Sequence, residues 1–440
     1  MTAAAHAHPT FAELLATFAK IGVLSFGGPA GQIAMMHRVL VDEKRWLDEP
    51  TFLNALNFCM LLPGPEAMQL ATYAGWRLHG VKGGLAAGLL FVLPGAALIF
   101  ALAALYLTYG ATPLVAAAFV GIKAAVLAIV LEALLRVARR ALHTNLDWVI
   151  AAVAFVAIYF FALPFPVIIL AAAVLGFLFE PAGGVRPLTP GACAGTLAPA
   201  VTTSHGIRQT AATALLWLAI WIVPLAAIAI ILGGGHVLVQ LAWFFSKLAV
   251  VTFGGAYAVL AYMAQEVAGR YQWLTPGEML DARGLAETTP GPLILVNEFV
   301  GALAAGRAGG GVSVFMASAG AVVTLWATFA PCFLWIFAGA PYVEKIAAAP
   351  RLKAALKGVT AAVVGVILNL TVWFALNVLF RVVETKTWGP LHMTIPQLAS
   401  IDVLAVGLAI LSGVLLLVWH RGIATTLAVA GILALAASRM

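Results

Sequence analysis

Charge is what this chain has least of. Asp, Glu, Lys and Arg make up 9% of its 440 residues, whereas soluble domains carry about 25%. With 63% hydrophobic residues and a mean hydropathy of +1.04, there is too little polar matter to cover a soluble surface. The lipid bilayer is the solvent that fits. Cysteine is also scarce. Cys59, Cys193 and Cys332 lie far apart and form no CxxC pair, so neither a disulfide framework nor a cysteine metal site follows. The nine histidines are scattered, mostly near loop ends, with no HExxH spacing; no metal is expected. There is no GxxxxGK[ST] string, so Gly309-Gly310-Gly311 is not a phosphate loop; Gly306–Gly310 and Gly84–Gly88 read as close helix packing. No secretory signal is evident: the first apolar stretch starts near Phe11 without a basic lead or a small-residue cleavage site. Residues 1–9 are expected to be a short disordered arm.

The charge that is present is net positive, at +7. It does not point to nucleic acid, because the basic residues share no face with interleaved aromatics. They fall between apolar runs: Arg38, Lys44 and Arg45; Arg77 and Lys82; Arg136, Arg139 and Arg140. That is the pattern of cytoplasmic loops under the positive-inside rule.

A membrane-spanning helix needs about 20 mostly apolar residues. Candidate runs cover 84–109, 114–135, 148–163, 165–179, 211–232, 237–263, 312–338, 358–380, 401–419 and 423–437. The predicted fold is all-α: a polytopic membrane protein of two homologous halves. A stretch rich in Pro, Gly, Ser and Thr separates them. This gives an N-terminal membrane domain over 1–180, a linker over 181–209 and a C-terminal membrane domain over 210–440.

Two stretches are not plain spanning helices. Residues 11–40 are interrupted by Gly27-Gly28-Pro29, and residues 52–79 by Pro63-Gly64-Pro65. Proline removes a donor and clashes with the preceding turn, so both helices should break, and Pro65 can open a new one. Both breaks recur. Shifted by 227 residues, Phe18, Lys20, Val23, Phe26-Gly27-Gly28, Ala34 and Met36 fall on Phe245, Lys247, Val250, Phe253-Gly254-Gly255, Ala261 and Met263. These are 8 identities in 19 positions. The same shift puts Trp46-Leu47 on Trp273-Leu274 and Pro63-Gly64-Pro65 on Pro290-Gly291-Pro292. After a ten-residue insertion the match resumes, Gly121 with Gly358.

Repeats with broken helices are an architecture of secondary transporters, and the breaks point to the binding site. A half-helix that starts inside the membrane presents unpaired N–H groups and a positive dipole end, which bind anions. Such half-helices are expected after Pro65 and Pro292. The glycine pairs let backbone approach a ligand closely. Any single break is equally a packing turn; the matched pairs favour a site. Lys20 and Lys247 lie at matched positions inside apolar stretches, where a lysine should face protein or water, unless each snorkels to the headgroups. Glu66, directly after Pro65, is a helix cap or a proton-binding group. Gln69 and Asn297, on the two post-proline segments, have amides able to donate to an oxyanion. Glu287 and Glu298 flank the second Pro-Gly-Pro with weaker cases. Lys123 and Glu132 also lie in an apolar run, too far apart for an i,i+4 pair.

Phe26-Gly27-Gly28-Pro29 with Gln32, and Leu62-Pro63-Gly64-Pro65-Glu66 running on to Gln69, resemble the signature of the chromate ion transporter family. Thr252-Phe253-Gly254-Gly255 and Thr289-Pro290-Gly291-Pro292 resemble its C-terminal domain, which makes this the long, two-domain form. The resemblance implies halves of opposite orientation in a bacterial inner membrane, and efflux of chromate, a tetrahedral dianion shaped like sulfate, with resistance to it. The count of crossings leaves the inversion open. It is seven if 52–79 is one broken span and even if it is a re-entrant hairpin. The expected substrate site comprises Lys20, Gly27, Gly28, Gln32, Pro63, Gly64, Pro65, Glu66 and Gln69, with Lys247, Gly254, Gly255, Pro290, Gly291, Pro292 and Asn297. The partners are the oxyanion and the bilayer, with no cofactor; a homodimer is compatible with it. A membrane-embedded enzyme acting on a lipid or polyprenyl phosphate would also need a clustered nucleophile and base, and none is visible. An anion channel would use the same site without alternating access.

Overall fold

The structure is a computed structural model; it describes residues 9–26, 28–110, 112–179, 207–253, 256–343, 349–389 and 391–438. Gly27, Gly254, Gly255 and most of the expected linker lie outside these. Among the described residues there are sixteen α-helices and one β-hairpin. The first half holds α1 (Phe11–Leu24), α2 (Gly28–His37), α3 (Glu49–Leu61), α4 (Glu66–Tyr109), α5 (Pro113–Ala141), α6 (Asn145–Tyr159) and α7 (Phe165–Phe179). Then comes α8 (Ile207–Leu232), followed by α9 (Val237–Val251), α10 (Ala256–Gln265), α11 (Pro276–Thr288), α12 (Val296–Arg307), α13 (Val314–Gly339), α14 (Pro350–Leu379), α15 (Val403–Gly413) and α16 (Ile423–Ala437). Helix α8 takes in the last three residues assigned to the linker.

Five helices are long and apolar enough to cross a membrane: α4, α5, α8, α13 with its 3₁₀ extension, and α14. The protein is a multi-pass membrane protein. Its outer face is apolar, with Leu170, Ile230, Trp243 and Phe315 all more than 60% exposed, as suits a hydrocarbon solvent. The runs 148–163 and 165–179 emerge as 15-residue helices. At 1.5 Å per residue each is about 22 Å long, short of a hydrocarbon core about 30 Å thick.

Both helix breaks fall where proline and glycine put them. Helix α1 stops at Leu24 and α2 starts at Gly28, which has φ of +71°. Ser25 caps the end of α1 by donating its hydroxyl to Ile21 O at 2.5 Å; Thr252 does the same to Leu248 O at 2.6 Å at the end of α9. Farther on, a π-helical turn over Arg38–Glu43 recurs as Glu266–Arg270. Each is followed by a residue in left-handed backbone, Arg45 and Gln272, both with φ of +52°. These features keep the 227-residue offset.

Helix α4 is two limbs, not one rod. Its backbone leaves helical geometry at His79 and Gly80. In a straight helix Gly75 and Gly83 would stand about 12 Å apart along the axis. Instead a Cβ on either would strike the other's carbonyl oxygen, and Gly84 and Gly88 lie against Thr72. The limbs fold back on each other. In the second half α12 and α13 make the same hairpin, with Gly301 against Gly320 and Thr324. The stretch 52–79 is therefore α3, a turn at Pro63-Gly64-Pro65 and the short first limb of α4.

The halves grip each other through glycines. Gly121 of α5 presses on Ala430 O of α16, and its repeat partner Gly358 of α14 presses on Ala172 O of α7. Gly365 likewise sits on Ala151 O of α6. In lipid no hydrophobic force draws helices together, so close backbone approach through small residues is what packs them. One departure from an all-helical chain is the antiparallel hairpin β1 (Val383–Trp388) and β2 (Leu391–Pro396). Alternating β-branched and apolar residues around Gly389 at φ +60° favour it. His392 N donates to Phe160 O at 2.7 Å, which pins the hairpin to the end of α6.

Replacing Gly121 by Leu forces a side chain into the Ala430 carbonyl and should cost about 1–3 kcal/mol. Gly407, in α15 and facing open space, serves as the control. Thermal melts of detergent-solubilised protein should show a lowered midpoint for Gly121→Leu and an unchanged or slightly raised one for Gly407→Ala.

Candidate functional site

A Pro-Gly-Pro turn strands backbone donors in the middle of a bundle, and such donors must find acceptors where no water is available. The acceptors come from the opposite half. Gly64 N donates to Thr252 O at 2.9 Å, and Gly291 N donates to Ser25 O at 3.0 Å. The turn after α3 is thus tied to the broken end of α9, and the turn after α11 to the broken end of α1. All four breaks share one cross-braced junction. Gly64 has φ of +122° and Gly291 of +89°, conformations that need glycine. A residue following an intrahelical proline backs each turn. Cys332, after Pro331 of α13, has its sulfur 3.0 Å from where a Cβ on Gly64 would stand. Gly95, after Pro94 of α4, lies against Pro290 O.

Two amides fasten the junction. Gln32 of α2 donates from Nε2 to Gly291 O at 2.5 Å and to Ser25 O at 3.4 Å. Gln69 of α4 donates from Nε2 to Pro63 O at 2.8 Å. Because these acceptors are carbonyls, the donating atoms are the nitrogens. The Oε1 atoms of both residues are buried without a hydrogen-bond partner among the described residues. Asn297 follows the pattern: Nδ2 faces Thr328 Oγ1 at 3.3 Å and Oδ1 has no partner. In this conformation Gln69 and Asn297 each give an amide N–H to the protein, where their sequence positions suggested donation to an oxyanion.

Helix α4 begins at Glu66, with Pro65 as the residue just before the first turn. After Pro292 the chain takes a 3₁₀ turn, Leu293–Leu295, before α12 begins. Both half-helices expected from the prolines exist, the second by way of this turn. Glu66 is half-buried. Lys20 and Lys247 are not inside. The buried stripe of α1 runs through Leu14, Thr17, Phe18 and Ile21, and that of α9 through Leu241, Phe244, Phe245 and Leu248. The lysines fall off these stripes and are exposed. Lys247 donates to Tyr262 Oη at 3.0 Å and lies 5.6 Å from the centre of that ring.

Most buried charges lie elsewhere, on α11 and α12; Asp147 of α6, 3.6 Å from Lys357 of α14, is the exception. Arg283 is 2% exposed and is the one fully buried cation among the described residues. Glu287, one turn farther along α11, is its counter-ion at 3.8 Å. Arg283 lines a cavity of about 10 Å³, no larger than one water, with Leu260 and Met263 of α10, Val296 of α12 and Phe374 of α14. On the same helix Asp281 accepts from Tyr106 Oη at 2.7 Å and pairs with Lys123 Nζ at 3.4 Å, tying α11 to α4 and α5 of the first half. Lys123 therefore pairs across the halves, while Glu132 pairs with Arg136 on its own helix. At the repeat positions of Pro29, Gln32 and Glu66 the second half has Ala256, Val259 and Leu293, an asymmetry that by sequence favours the first half as the seat of the chemistry. The structure places buried amides after the breaks of both halves, Gln32 and Gln69 with Asn297, and buried charge chiefly in the second. Nothing in a 227-residue match marks Arg283, because its repeat position holds Leu56. The one available signal was an arginine four residues before a glutamate on a helix that leads into a Pro-Gly-Pro turn.

Paired broken helices in a multi-pass bundle are an architecture of membrane transporters, and the relatives of this chain are named as transport proteins rather than enzymes. A family model described as "Chromate transporter" matches residues 12–177 and 239–437. The chain is 35% identical to the chromate transport protein of Pseudomonas aeruginosa over 81% of its own length and 79% of the relative's. It is 30% identical to that of Cupriavidus metallidurans, covering 84% of each. Identity to a probable chromate transport protein of Synechococcus elongatus is also 30%, over 83% and 86%. This chain belongs to the chromate transporter family, in its long form. No solved structure matches it. The two matched regions begin at α1 and α9, and α8 lies between them.

Replacing Gln32 by Ala removes the clamp on Gly291 and should destabilise the fold by about 1–3 kcal/mol. Gln32→Glu keeps the size but turns the donor into an acceptor facing two carbonyls, and should be at least as damaging. Both are read as lowered melting midpoints beside a Gln32→Asn control.

Proposed function

We propose that this chain is a secondary transporter that exports chromate across the inner membrane of a bacterium, and related tetrahedral oxyanions such as sulfate, conferring chromate resistance. The observation that carries this reading is the pair of exchanged hydrogen bonds that join the breaks of both halves at one junction. Half-helix N-termini at such a junction offer N–H donors and positive dipole ends to an anion. The relatives' names supply the substrate class.

A dianion also needs positive charge. Arg283 is the buried cation nearest in the chain to the second break, and its planar fork of donors suits an oxyanion. Glu287 holds that charge when no anion is bound. Lys20 and Lys247, on outer faces of α1 and α9, become ligands only if the halves rotate against each other. Such rocking of two halves in inverted orientation is the alternating-access movement of repeat transporters. Export needs no ATP. One charge moved through 100 mV is worth about 2.3 kcal/mol, and a dianion leaving a negative-inside cell gains roughly twice that.

Everted membrane vesicles test this. An interior-positive potential should drive radiolabelled chromate inward, and sulfate should compete. Arg283→Gln removes a charge-assisted contact of about 1.5–3 kcal/mol, so uptake should fall roughly 10- to 100-fold at equal protein in the membrane. If Lys20→Ala and Lys247→Ala both transport normally, the lysines drop out of the site. No chromate movement under any imposed gradient would reject the substrate.

A further inference from the structure

One buried acid has no role in this scheme. Glu298 lies in the first turn of α12, six residues past Pro292, and is 2% exposed. Its Oε2 has no hydrogen-bond partner, and it makes no ion pair among the described residues. Helix α12 packs against α4, α9, α11 and α13 and the 3₁₀ turn before it. The charged groups on those elements are Glu66, Arg77 and Lys82 on α4, Lys247 on α9, and Glu278, Asp281, Arg283 and Glu287 on α11; the described part of α13 carries none. None of them forms an ion pair with Glu298 among the described residues. Glu278 is engaged with Arg307 at 2.7 Å, Asp281 with Lys123 and Tyr106, and Glu287 with Arg283.

An ionised carboxylate in that setting is shut off from bulk solvent and has no paired cation among the described residues. Such a group takes up a proton rather than stay charged. The position matters as much as the burial. A charged Glu298 at the start of α12 would oppose a dianion at the same helix end, whereas a neutral one admits it. Proton and anion then bind together.

We propose that Glu298 is a proton-binding site that couples proton movement to anion movement in the same direction. This rests on the transport reading above. One proton carried with each dianion leaves a net single negative charge in transit, so outward transport still runs down the membrane potential. Release follows when the junction opens to water and Glu298 is solvated.

The test uses the full chain in proteoliposomes with trapped pyranine, the voltage clamped by potassium and valinomycin, and potassium chromate added outside. Wild-type vesicles should acidify inside as chromate enters, and initial chromate flux should rise as the outside pH falls. Glu298→Gln, fixed in the neutral shape, should keep chromate flux within about threefold of wild type while losing the acidification and the pH dependence. Glu298→Asp should retain both. Chromate entry by wild type without acidification would overturn the proposal and leave the transport reading standing. Coupled acidification surviving in Glu298→Gln would also overturn it. Absence of chromate flux in wild type would instead sink the transport reading, and this one with it. A second measurement does not depend on flux. The infrared spectrum of the purified protein at neutral pH should contain a protonated-carboxyl band that Glu298→Gln abolishes. Persistence of every such band in the variant would count against Glu298 as the proton carrier.

Discussion

Two hydrogen bonds hold the centre of this molecule. A Pro-Gly-Pro turn inside a bilayer is untenable alone, because its freed N–H groups have no water to bond. Here each turn borrows a carbonyl from a break in the other half, Gly64 from Thr252 and Gly291 from Ser25. Neither half can satisfy its own break. The halves are therefore obligate partners at the atomic level, before any packing is considered. The glycine contacts of α5 with α16 and of α14 with α7 repeat the exchange at the periphery. Separating the halves would expose both turns and strip the long helices of their close neighbours.

The two halves contribute differently there. The first contributes neutral amides, Gln32 and Gln69, which fasten backbone carbonyls. The second contributes Asn297 and most of the buried charge, through Asp281, Arg283, Glu287 and Glu298. Burying charge in a membrane is costly, and it is retained where it is paired or functional. Asp281 with Lys123 is the structural case, since it joins α11 to α5 across the halves. Arg283 pairs with Glu287 on the same helix and lines a small cavity with Val296 and Phe374. A 3.8 Å pair on one helix can open without dismantling the fold.

Much of this was legible in the chain. Proline and glycine act locally, so the breaks at residues 25–28, 63–65 and 290–292 could be read directly, as could their repetition. A break near His79 and Gly80 was legible, because Arg77 and Lys82 separate the stretch ending at 79 from the apolar run starting at 84; that the two limbs fold back on each other as one hairpin was not. Gly75, Gly83, Gly84 and Gly88 hinted at a close packing face, but their partner turned out to be the same helix. The β-hairpin was missed because a six-residue strand disappears beside helices of thirty.

The lysines show where pattern reading stops. Lys20 and Lys247 match in sequence, yet a match says nothing of which way a side chain faces. That depends on which stripe of α1 and α9 the rest of the protein covers. By itself the sequence determined the solvent, the helix breaks, the pairing of halves and the family, because composition and backbone chemistry are properties of short segments. Only the tertiary structure decided which carbonyl each freed N–H reaches, which cation is buried and which acid is left without a partner. Those outcomes depend on contacts between residues about two hundred positions apart, and no local rule encodes them.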